Sequence, residues 1–222
     1  MTSARDLEKL AREINSCHKC SRLVKWREKV AVQKRAAYAT ETYWGKPIAG
    51  FGDSRAKILV LGLAPGAHGA NRTGRIFTGD RSGDWLFRAM HKAGLASQPE
   101  SISRADGLTL KNAWVATAVR CAPPDNKPTP RERRNCASFL TRELSMLKNV
   151  KVIVCLGGFS LTAVCDELEI RPRPKFGHGV VVDHERYKIV CSYHPSQQNT
   201  FTGRLTEKMF DDVFATAVRL QR

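Results

Sequence analysis

The sequence lacks any long apolar run, and this absence sets the first limit on its class. No stretch approaches the ~20 apolar residues that a membrane-spanning helix needs. The N-terminal segment "MTSARDLEKLAREINSC" carries charged residues where a secretory signal has an apolar core. We therefore expect a protein without a membrane partner. Internal repeats and low-complexity tracts are also missing, which favours one ordinary globular domain.

Acidic residues are scarce relative to basic ones. The 222 residues include 21 Asp and Glu against 37 Lys and Arg, which gives a formal net charge of +16. Such an excess on one domain favours a polyanionic partner, above all nucleic acid. The alternatives are a merely soluble basic protein and the charged surface of a thermophilic protein. Nucleic acid is the better explanation because the basic residues recur beside the Gly- and Pro-rich loops.

Two common nucleotide-binding motifs are missing from the most unusual stretch, "VLGLAPGAHGANRTGRIFTGDRSGDWLF" at residues 60–87. It has neither the Gly-Lys-Ser/Thr ending of a phosphate-binding loop nor the G-x-G-x-x-G that opens a dinucleotide-binding helix. A nucleoside triphosphate or nicotinamide cofactor is thereby disfavoured. What is present is a Gly-lined loop with Phe77 as a candidate aromatic floor, which suits a flat polar heterocycle. Phe77 also fits an ordinary core position.

Apolar strands alternate with amphipathic helices along the chain. Strands are predicted at residues 56–65, 113–121 and 150–158, and a hairpin at 178–195 ends in a fourth strand. Helices are predicted at residues 4–15, 83–95, 129–147, 159–168 and 204–220. This order predicts a single α/β domain over residues 1–222, with a central, mostly parallel four-stranded sheet flanked by helices.

Three predicted strands end in loops that contain chemically useful side chains. The loops are "GLAPGAHGANRTGRIFTGD", "RCAPPDNKPTP" and "SYHPSQQNTFTGR". Ligands of open α/β sheets lie beyond the carboxyl ends of the strands, so we expect the first and last loops to converge. Their candidate site residues are His68, Asn71, Arg72, Phe77, Asp80 and His194. Asp80 fits equally well as the N-cap of the helix that follows it.

The seven cysteines divide into two groups. Three lie in apolar strand or helix contexts and are expected to be buried core residues: Cys155, Cys165 and Cys191. The other four lie in loops or at helix ends and are candidate metal ligands: Cys17, Cys20, Cys121 and Cys136. The split spacing of the second pair is unusual for structural zinc, whereas an iron–sulfur cluster tolerates irregular spacing. The spacing favours a cluster and leaves zinc open.

Taken together, the three loop motifs and four cysteines resemble the uracil-DNA glycosylase superfamily, and within it the iron–sulfur type B, or family 5, enzymes. The resemblance runs from about residue 15 to the end of the chain. It implies a 4Fe–4S cluster on Cys17, Cys20, Cys121 and Cys136. It also implies a monomeric, monofunctional glycosylase of base excision repair, located in the prokaryotic cytoplasm and associated with the nucleoid.

The implied substrate is double-stranded DNA that contains uracil or another deaminated base such as hypoxanthine. The enzyme would flip the base out of the stack and hydrolyse its glycosidic bond. A non-catalytic DNA-binding protein, stabilised by a cluster or by zinc, is the alternative from another class. A glycosylase acting on a different lesion is a second.

The resemblance also assigns roles to individual residues. His194 would donate to the uracil carbonyl, and Phe77 would stack on the flipped base. The chemistry itself calls for a carboxylate or amide beside the sugar cation and the incoming water, for which Asp80 and Asn71 are candidates and His68 is a third. Leu63 and Ala64 stand where many superfamily members have a polar group, and family 5 resembles this sequence in lacking that group. Thr117 stands where an Asn often reads uracil. The predicted base contacts are Ala64, Gly66, His68, Phe77 and Thr117. The predicted DNA contacts are Arg72, Arg75, Lys127, Ser196, Gln197, Gln198 and Arg204.

Overall fold

A computed structural model describes residues 4–222; the first three residues of the N-terminal segment lie outside the described part of the chain. In chain order the helices are α1 (Ala4–Asn15), α2 (Ser21–Gln33), α3 (Ala70–Thr73), α4 (Arg81–Lys92), α5 (Pro130–Met146), α6 (Gly158–Glu167), α7 (Gln197–Phe201) and α8 (Glu207–Leu220). The strands are β1 (Phe51–Gly52), β2 (Ile58–Gly62), β3 (Ala113–Thr117), β4 (Val152–Leu156), β5 (Val181–His184) and β6 (Tyr187–Ser192). The α/β class is confirmed.

The strands form one sheet in the order β1-β3-β2-β4-β6-β5. The four central strands are parallel to their neighbours, as predicted, whereas β1 and β5 pair antiparallel at the two edges. The predicted count of four strands is therefore corrected to six. The count was too low because β1 has only two residues within a turn-rich connector, and because the half-exposed first arm of the predicted hairpin, β5, was not counted as a strand of the sheet. The predicted hairpin at 178–195 is confirmed as β5 and β6.

Alternate residues of each central strand supply the two halves of the core. In β2, Ile58 and Val60 pack on the face that carries α4 and α8, and Leu59 and Leu61 pack on the face that carries α5 and α6. All five residues of β2 are buried, which explains why the strand is a continuous apolar run. Within residues 4–222, no helix is long and apolar enough to cross a membrane. The single-domain boundaries at residues 1 and 222 stay a prediction.

Sequence signals place the helix starts that matter for the site. Asp80 is the N-cap of α4 and accepts from the Gly83 amide at 3.0 Å. Thr129 caps α5 in a reciprocal box with Glu132, and Pro130 occupies the first turn. Because β2, β3, β4 and β6 are parallel, their carboxyl ends all lie on one side of the sheet, the carboxyl edge. The three loops leave from that edge.

Candidate active site

The first and last loops meet through two rings at this edge. The centroids of the Phe77 and His194 rings lie 5.9 Å apart, with their planes inclined by 32°. His194 follows β6 by two residues and packs beside Gly157, at the end of β4. The expected convergence of the two loops is therefore confirmed. The two rings are too close for a base to lie between them, so a base that stacks on Phe77 requires His194 to turn aside.

Both the backbone conformation of Phe77 and the packing of its ring determine its position. Its φ of 53° lies in the left-handed region, which is uncommon for an aromatic residue and typical of strained positions at functional sites. The ring covers Gly62 at the end of β2, where a β-carbon would lie 2.7 Å from Phe77 Cζ. A β-carbon on Gly83 would lie 2.0 Å from the Phe77 carbonyl oxygen. Two glycines thus create the space that this conformation needs.

Replacing Gly62 by alanine should displace the Phe77 ring, because an aromatic ring wedged against the sheet cannot give way by a small rotation. We expect a loss of about 1–3 kcal/mol in the free energy of unfolding, as for other overpacked cores, together with slower base excision. Urea unfolding and single-turnover excision measure the two effects. Gly158→Ala is the control, because its β-carbon would meet only Phe176, at 3.6 Å. Unchanged excision in Gly62→Ala would contradict the assignment of Phe77 as the floor of the site.

His194 is a neutral imidazole near physiological pH. Burial lowers its pKa from 6.5 to about 4, since the surroundings solvate the charged form poorly. Its backbone is fixed by Asn199, whose Nδ2 donates to the His194 carbonyl oxygen at 2.9 Å. No hydrogen bond of the imidazole to another residue is found within residues 4–222. A neutral imidazole N–H next to Phe77 can donate to a carbonyl oxygen of a bound base.

Because the pKa of His194 is lowered, we expect the excision rate to show no inflection near pH 6.5 that is due to this residue. The neutral donor should persist from pH 8 to about pH 5.5, and excision should fall only as the pH approaches 4. Because the folded pKa lies below the unfolded one, stability from this residue is present above pH 6.5 and is lost as the pH falls towards 4. Single-turnover rates and unfolding of the wild type and His194→Gln across this range provide the measurement. A step at pH 6.5 that His194→Gln abolishes would refute the neutral state.

The sequence left two roles open for Asp80, the N-cap of α4 and a catalytic carboxylate. Its Oδ1 caps α4, and its Oδ2 lies against the turn of the first loop, 3.1 Å from where a β-carbon on Gly66 would be. A β-carbon on Gly69 would lie 1.9 Å from the same oxygen, so only glycine fits there. Burial raises the Asp80 pKa, although amide donors oppose the shift. The N-cap role is confirmed, and a catalytic role stays a prediction.

Two predicted site residues are fully buried. Asn71 donates from Nδ2 to the Arg27 carbonyl oxygen at 3.1 Å, which anchors the loop to α2, while its Oδ1 has no hydrogen-bond partner within residues 4–222. The Thr117 hydroxyl donates to the Val119 carbonyl oxygen at 2.9 Å. The roles of both residues at the site stay predictions.

Two predicted DNA contacts are internal clamps of the first loop. Arg72 donates to the carbonyl oxygens of His68 and Gly79, and its guanidinium stacks on Tyr38 at 3.9 Å. Arg75 is buried and forms an ion pair with Asp106 at 2.6 Å. Both guanidiniums are largely occupied by internal partners, and their contacts with DNA stay predictions. Sequence analysis could not distinguish these arginines from surface ones, since their ion-pair partners Glu41 and Asp106 lie outside the motif.

The remaining predicted base contacts lie in or beside the first loop. The Nδ1 of His68 is 3.1 Å from the Tyr43 hydroxyl, and burial lowers the His68 pKa. Ala64 packs against the group of apolar and cysteine side chains around Cys121. Gly66 accepts from the Asn71 amide at 2.9 Å. The roles of these three residues in base binding stay predictions.

The loop after His194 forms the short helix α7, which begins after Ser196. Gln197 and Gln198 are exposed in its first turn, and Lys127 and Arg204 are exposed nearby in the chain loops. Arg204 stacks on Tyr193 at 4.6 Å. These five predicted DNA contacts are accessible, and their contacts with DNA stay predictions.

Sequence analysis missed one exposed aromatic residue in this loop. Phe201, at the end of α7, is 67% exposed, and the Arg81 guanidinium lies 4.9 Å from its ring centre. Arg81 directly follows Asp80, so this contact ties the last loop to the first. A single aromatic in the polar stretch "QQNTFTG" is the only sequence signal, and it has no helical or strand periodicity.

The four candidate ligand cysteines line one cavity. Cys17 and Cys20 come from the α1–α2 connection, Cys121 from the β3–α5 loop, and Cys136 from α5 itself. The other three are buried elsewhere, in the sheet and α6, as predicted. Two side-chain donors point at the ligand sulfurs: Arg27 Nη1 lies 3.1 Å from Cys121 Sγ, and Asn135 Nδ2 lies 3.3 Å from Cys20 Sγ.

Burial keeps two of these thiols in their neutral form. Burial raises the pKa of Cys121 to about 12, although Arg27 opposes the shift, and burial also raises the pKa of Cys136. A metal centre would convert such thiols to thiolates and offset their charge. Within residues 4–222, no three His, Cys, Asp or Glu side chains are placed to hold a single ion. The donor set, four thiols with N–H groups aimed at sulfur, fits a cluster, which holds its ligands further apart than one ion does.

Comparison with known proteins is consistent with this geometry. The family model described as "Uracil DNA glycosylase superfamily" matches residues 49–217. The chain is 50% identical over 211 residues to a Type-5 uracil-DNA glycosylase of Mycobacterium bovis, covering 93% of this chain and 79% of the relative. It is 48% identical over 218 residues to a protein of the same name from Thermus thermophilus, covering 97% and 98%.

A more distant relative is the Type-4 uracil-DNA glycosylase of Archaeoglobus fulgidus, which is 28% identical over 197 residues. The chain belongs to the uracil DNA glycosylase superfamily, and its relatives at 47–50% identity carry the type-5 name. The resemblance inferred from the loop motifs is therefore confirmed.

Proposed function

We propose that this protein is a uracil-DNA glycosylase that removes uracil from duplex DNA by base flipping and hydrolysis of the N-glycosidic bond. The observation that carries the proposal is the contact of His194 with Phe77 at the carboxyl edge of the sheet. Phe77 offers an apolar face to a planar base, and the neutral His194 offers a donor to its carbonyl oxygen. Similarity to type-5 enzymes over nearly the whole chain supports the same activity.

Chemistry in this site depends on stabilising the departing base. Cleavage develops positive charge on the sugar and negative charge on the uracil, and preorganised donors stabilise that anion. His194 supplies one donor, and the first loop around Gly66 supplies backbone amides. In this proposal the carboxylate of Asp80, held at the same loop, stabilises the sugar cation or orients water. Leu63 and Ala64 contribute no polar side chain, so Asp80 carries this role.

Breadth of substrate is part of the proposal. The Thr117 hydroxyl is bonded to the Val119 carbonyl oxygen, so this residue offers no side-chain group that would discriminate between base edges. Recognition then depends on stacking, on His194 and on backbone groups, which several deaminated bases can satisfy. We therefore include hypoxanthine among the substrates.

A lesion panel tests the activity and its breadth together. Duplexes that each carry one uracil, hypoxanthine or undamaged base are incubated with the protein, and alkali then cleaves the DNA at any abasic site. Strand cleavage at uracil and at hypoxanthine is the expected result. Binding without base release would instead identify the non-catalytic DNA-binding protein. Cleavage at uracil alone would contradict the inference, drawn from Thr117, that the site accepts several deaminated bases.

We propose that the cavity of Cys17, Cys20, Cys121 and Cys136 holds a 4Fe–4S cluster. When bound, such a cluster supplies a rigid anionic centre that joins the α1–α2 connection to the β3–α5 loop and α5. The chain acts as a monomer bound to chromosomal DNA of a prokaryotic cell, where its substrate lies. Lys127, Ser196, Gln197, Gln198 and Arg204 contact the DNA in this proposal.

Affinity for undamaged duplex should fall steeply with salt, because the net charge of +16 favours phosphate contacts that release counterions. We expect roughly 100-fold weaker binding at 200 mM than at 50 mM salt. Arg204→Ala should reduce the slope by about one unit. Lys148→Ala is the control, because Lys148 is exposed before β4, at the opposite edge of the sheet. Fluorescence anisotropy gives the slopes, and a flat wild-type titration would refute the electrostatic argument.

A further inference from the structure

Arg27 in α2 is a buried cation beside the four cysteines. The residue is 1% exposed, and its Nη1 donates to the Cys121 thiol at 3.1 Å and to the Cys17 carbonyl oxygen at 3.2 Å. Its Nε is buried without a hydrogen-bond partner within residues 4–222. The guanidinium therefore lies in direct contact with two of the four candidate ligands, Cys17 and Cys121.

Among the residues that the structure describes, no buried carboxylate pairs with Arg27 to balance its charge. Its ion-pair partner is Glu28, 3.6 Å away, whose side chain is 55% exposed and therefore compensates weakly. Arg120 provides the contrast, because it is also 1% exposed but pairs with Glu143, which is equally buried. A buried guanidinium without a buried anion is costly. An anion in the cysteine cavity would remove that cost.

We propose that Arg27 is the counter-cation of the iron–sulfur cluster and donates an N–H···S hydrogen bond to the Cys121 ligand. This inference rests on the proposed cluster. Four thiolates around an iron–sulfide core give a centre with net negative charge, which the guanidinium offsets at short range in a water-poor cavity. Arg27 thereby stabilises the bound cluster and raises its reduction potential, because hydrogen bonds to the sulfurs and nearby positive charge favour the more reduced state.

The same residue connects the cluster to the base pocket. While its side chain contacts Cys121, its carbonyl oxygen accepts from Asn71 in the first loop. The helix also begins next to a ligand, since Cys20 is the N-cap of α2. About two turns of helix thus join a candidate ligand, the counter-cation and the loop that carries Phe77. Arg27 is a positioning residue in this scheme and does not touch the base.

The test measures iron and sulfide content, reduction potential and iron release to a chelator in Arg27→Met, Arg27→Gln and Arg27→Lys. Both neutral variants should release iron about tenfold faster than the wild type, because a hydrogen bond to a charged group is lost, and should have lower potentials. Arg27→Lys keeps the charge and should lie closer to the wild type. Lys29→Met is the matched control, because Lys29 lies on the same helix but is exposed.

Each outcome separates this inference from the proposed cluster. A wild type that contains zinc or no metal would overturn both. A wild type with iron and sulfide, but with neutral Arg27 variants that match it in potential and iron release, would overturn only the role of Arg27. If only Arg27→Lys accumulates with its cluster, the charge requirement is supported. Equal loss in all three variants would show a purely structural role and would overturn the proposal.

Discussion

Alanine at position 194 is expected to lower the single-turnover rate of uracil release about 100-fold or more, since it removes a preorganised donor to the leaving base. Binding to uracil-containing duplex should change far less, because phosphate contacts supply most of the affinity. The assay uses saturating protein and a duplex with one central uracil opposite guanine, so that flipping is easy and chemistry limits the rate. The geometry behind this expectation is the desolvated, neutral ring of His194 beside Phe77.

His184→Ala and Asp80→Asn are the comparison variants for His194→Ala. His184 lies at the end of β5, at the hairpin on the opposite edge of the sheet, so its loss should leave the rate unchanged. Asp80→Asn removes a negative charge near the sugar while keeping an oxygen that can cap α4, so its effect reports charge and not helix stability. If Asp80→Asn abolished cleavage and His194→Ala left it nearly intact, the mechanism would be driven by the carboxylate and our roles would be inverted.

The second large effect concerns the cysteine cavity. Purified protein should be yellow-brown, with broad absorption near ~400 nm from thiolate-to-iron charge transfer. Cys136→Ala should bleach it, since Cys136 lines the cavity with Cys17, Cys20 and Cys121. Loss of one of the four candidate ligands leaves three thiols, which cannot complete the coordination of a cluster that needs four.

Cys165→Ala is the matched control for Cys136→Ala. Both are buried helical cysteines, but Cys165 belongs to the core between the sheet and α6. Its replacement should keep the colour and the iron content. Elemental analysis that finds zinc in place of iron in the wild type would refute the cluster, and retention of full iron content by Cys136→Ala would remove this residue from the ligand set.

Local signals in the chain were sufficient for the fold class and for several site residues. The continuous apolar runs of β2, β3 and β4 predict strands buried on both faces, and the parallel arrangement follows from the helices between them. Thr129 and Asp80 mark helix starts because a cap acts within four residues. The edge strand β1 was not predicted, because its two residues lie in a turn-rich connector and only its pairing with β3 defines it.

The arginines of the first loop show where local reasoning ends. Arg72 and Arg75 have the sequence context of phosphate contacts, but their partners Glu41 and Asp106 lie 31 residues away in the chain. Asn71 and Thr117 were likewise assigned by position in a motif, and both side chains bond to carbonyl oxygens inside the fold. Exposure and long-range pairing decide such roles, and neither can be read from residue type or spacing.

By itself the sequence determined that a basic α/β protein carries a Gly-rich loop, a strand that ends in "YHPS", and four cysteines that differ in context from the three core cysteines. These features could be read because periodicity and residue type act over short distances along the chain. Only the tertiary structure decided that Phe77 meets His194, that Arg27 faces Cys121, and that Arg72 and Arg75 are clamps. The physical reason is that parallel strand order brings distant loops to one edge. Burial there then determines which side chains stay accessible, which are neutral and which must find an internal partner.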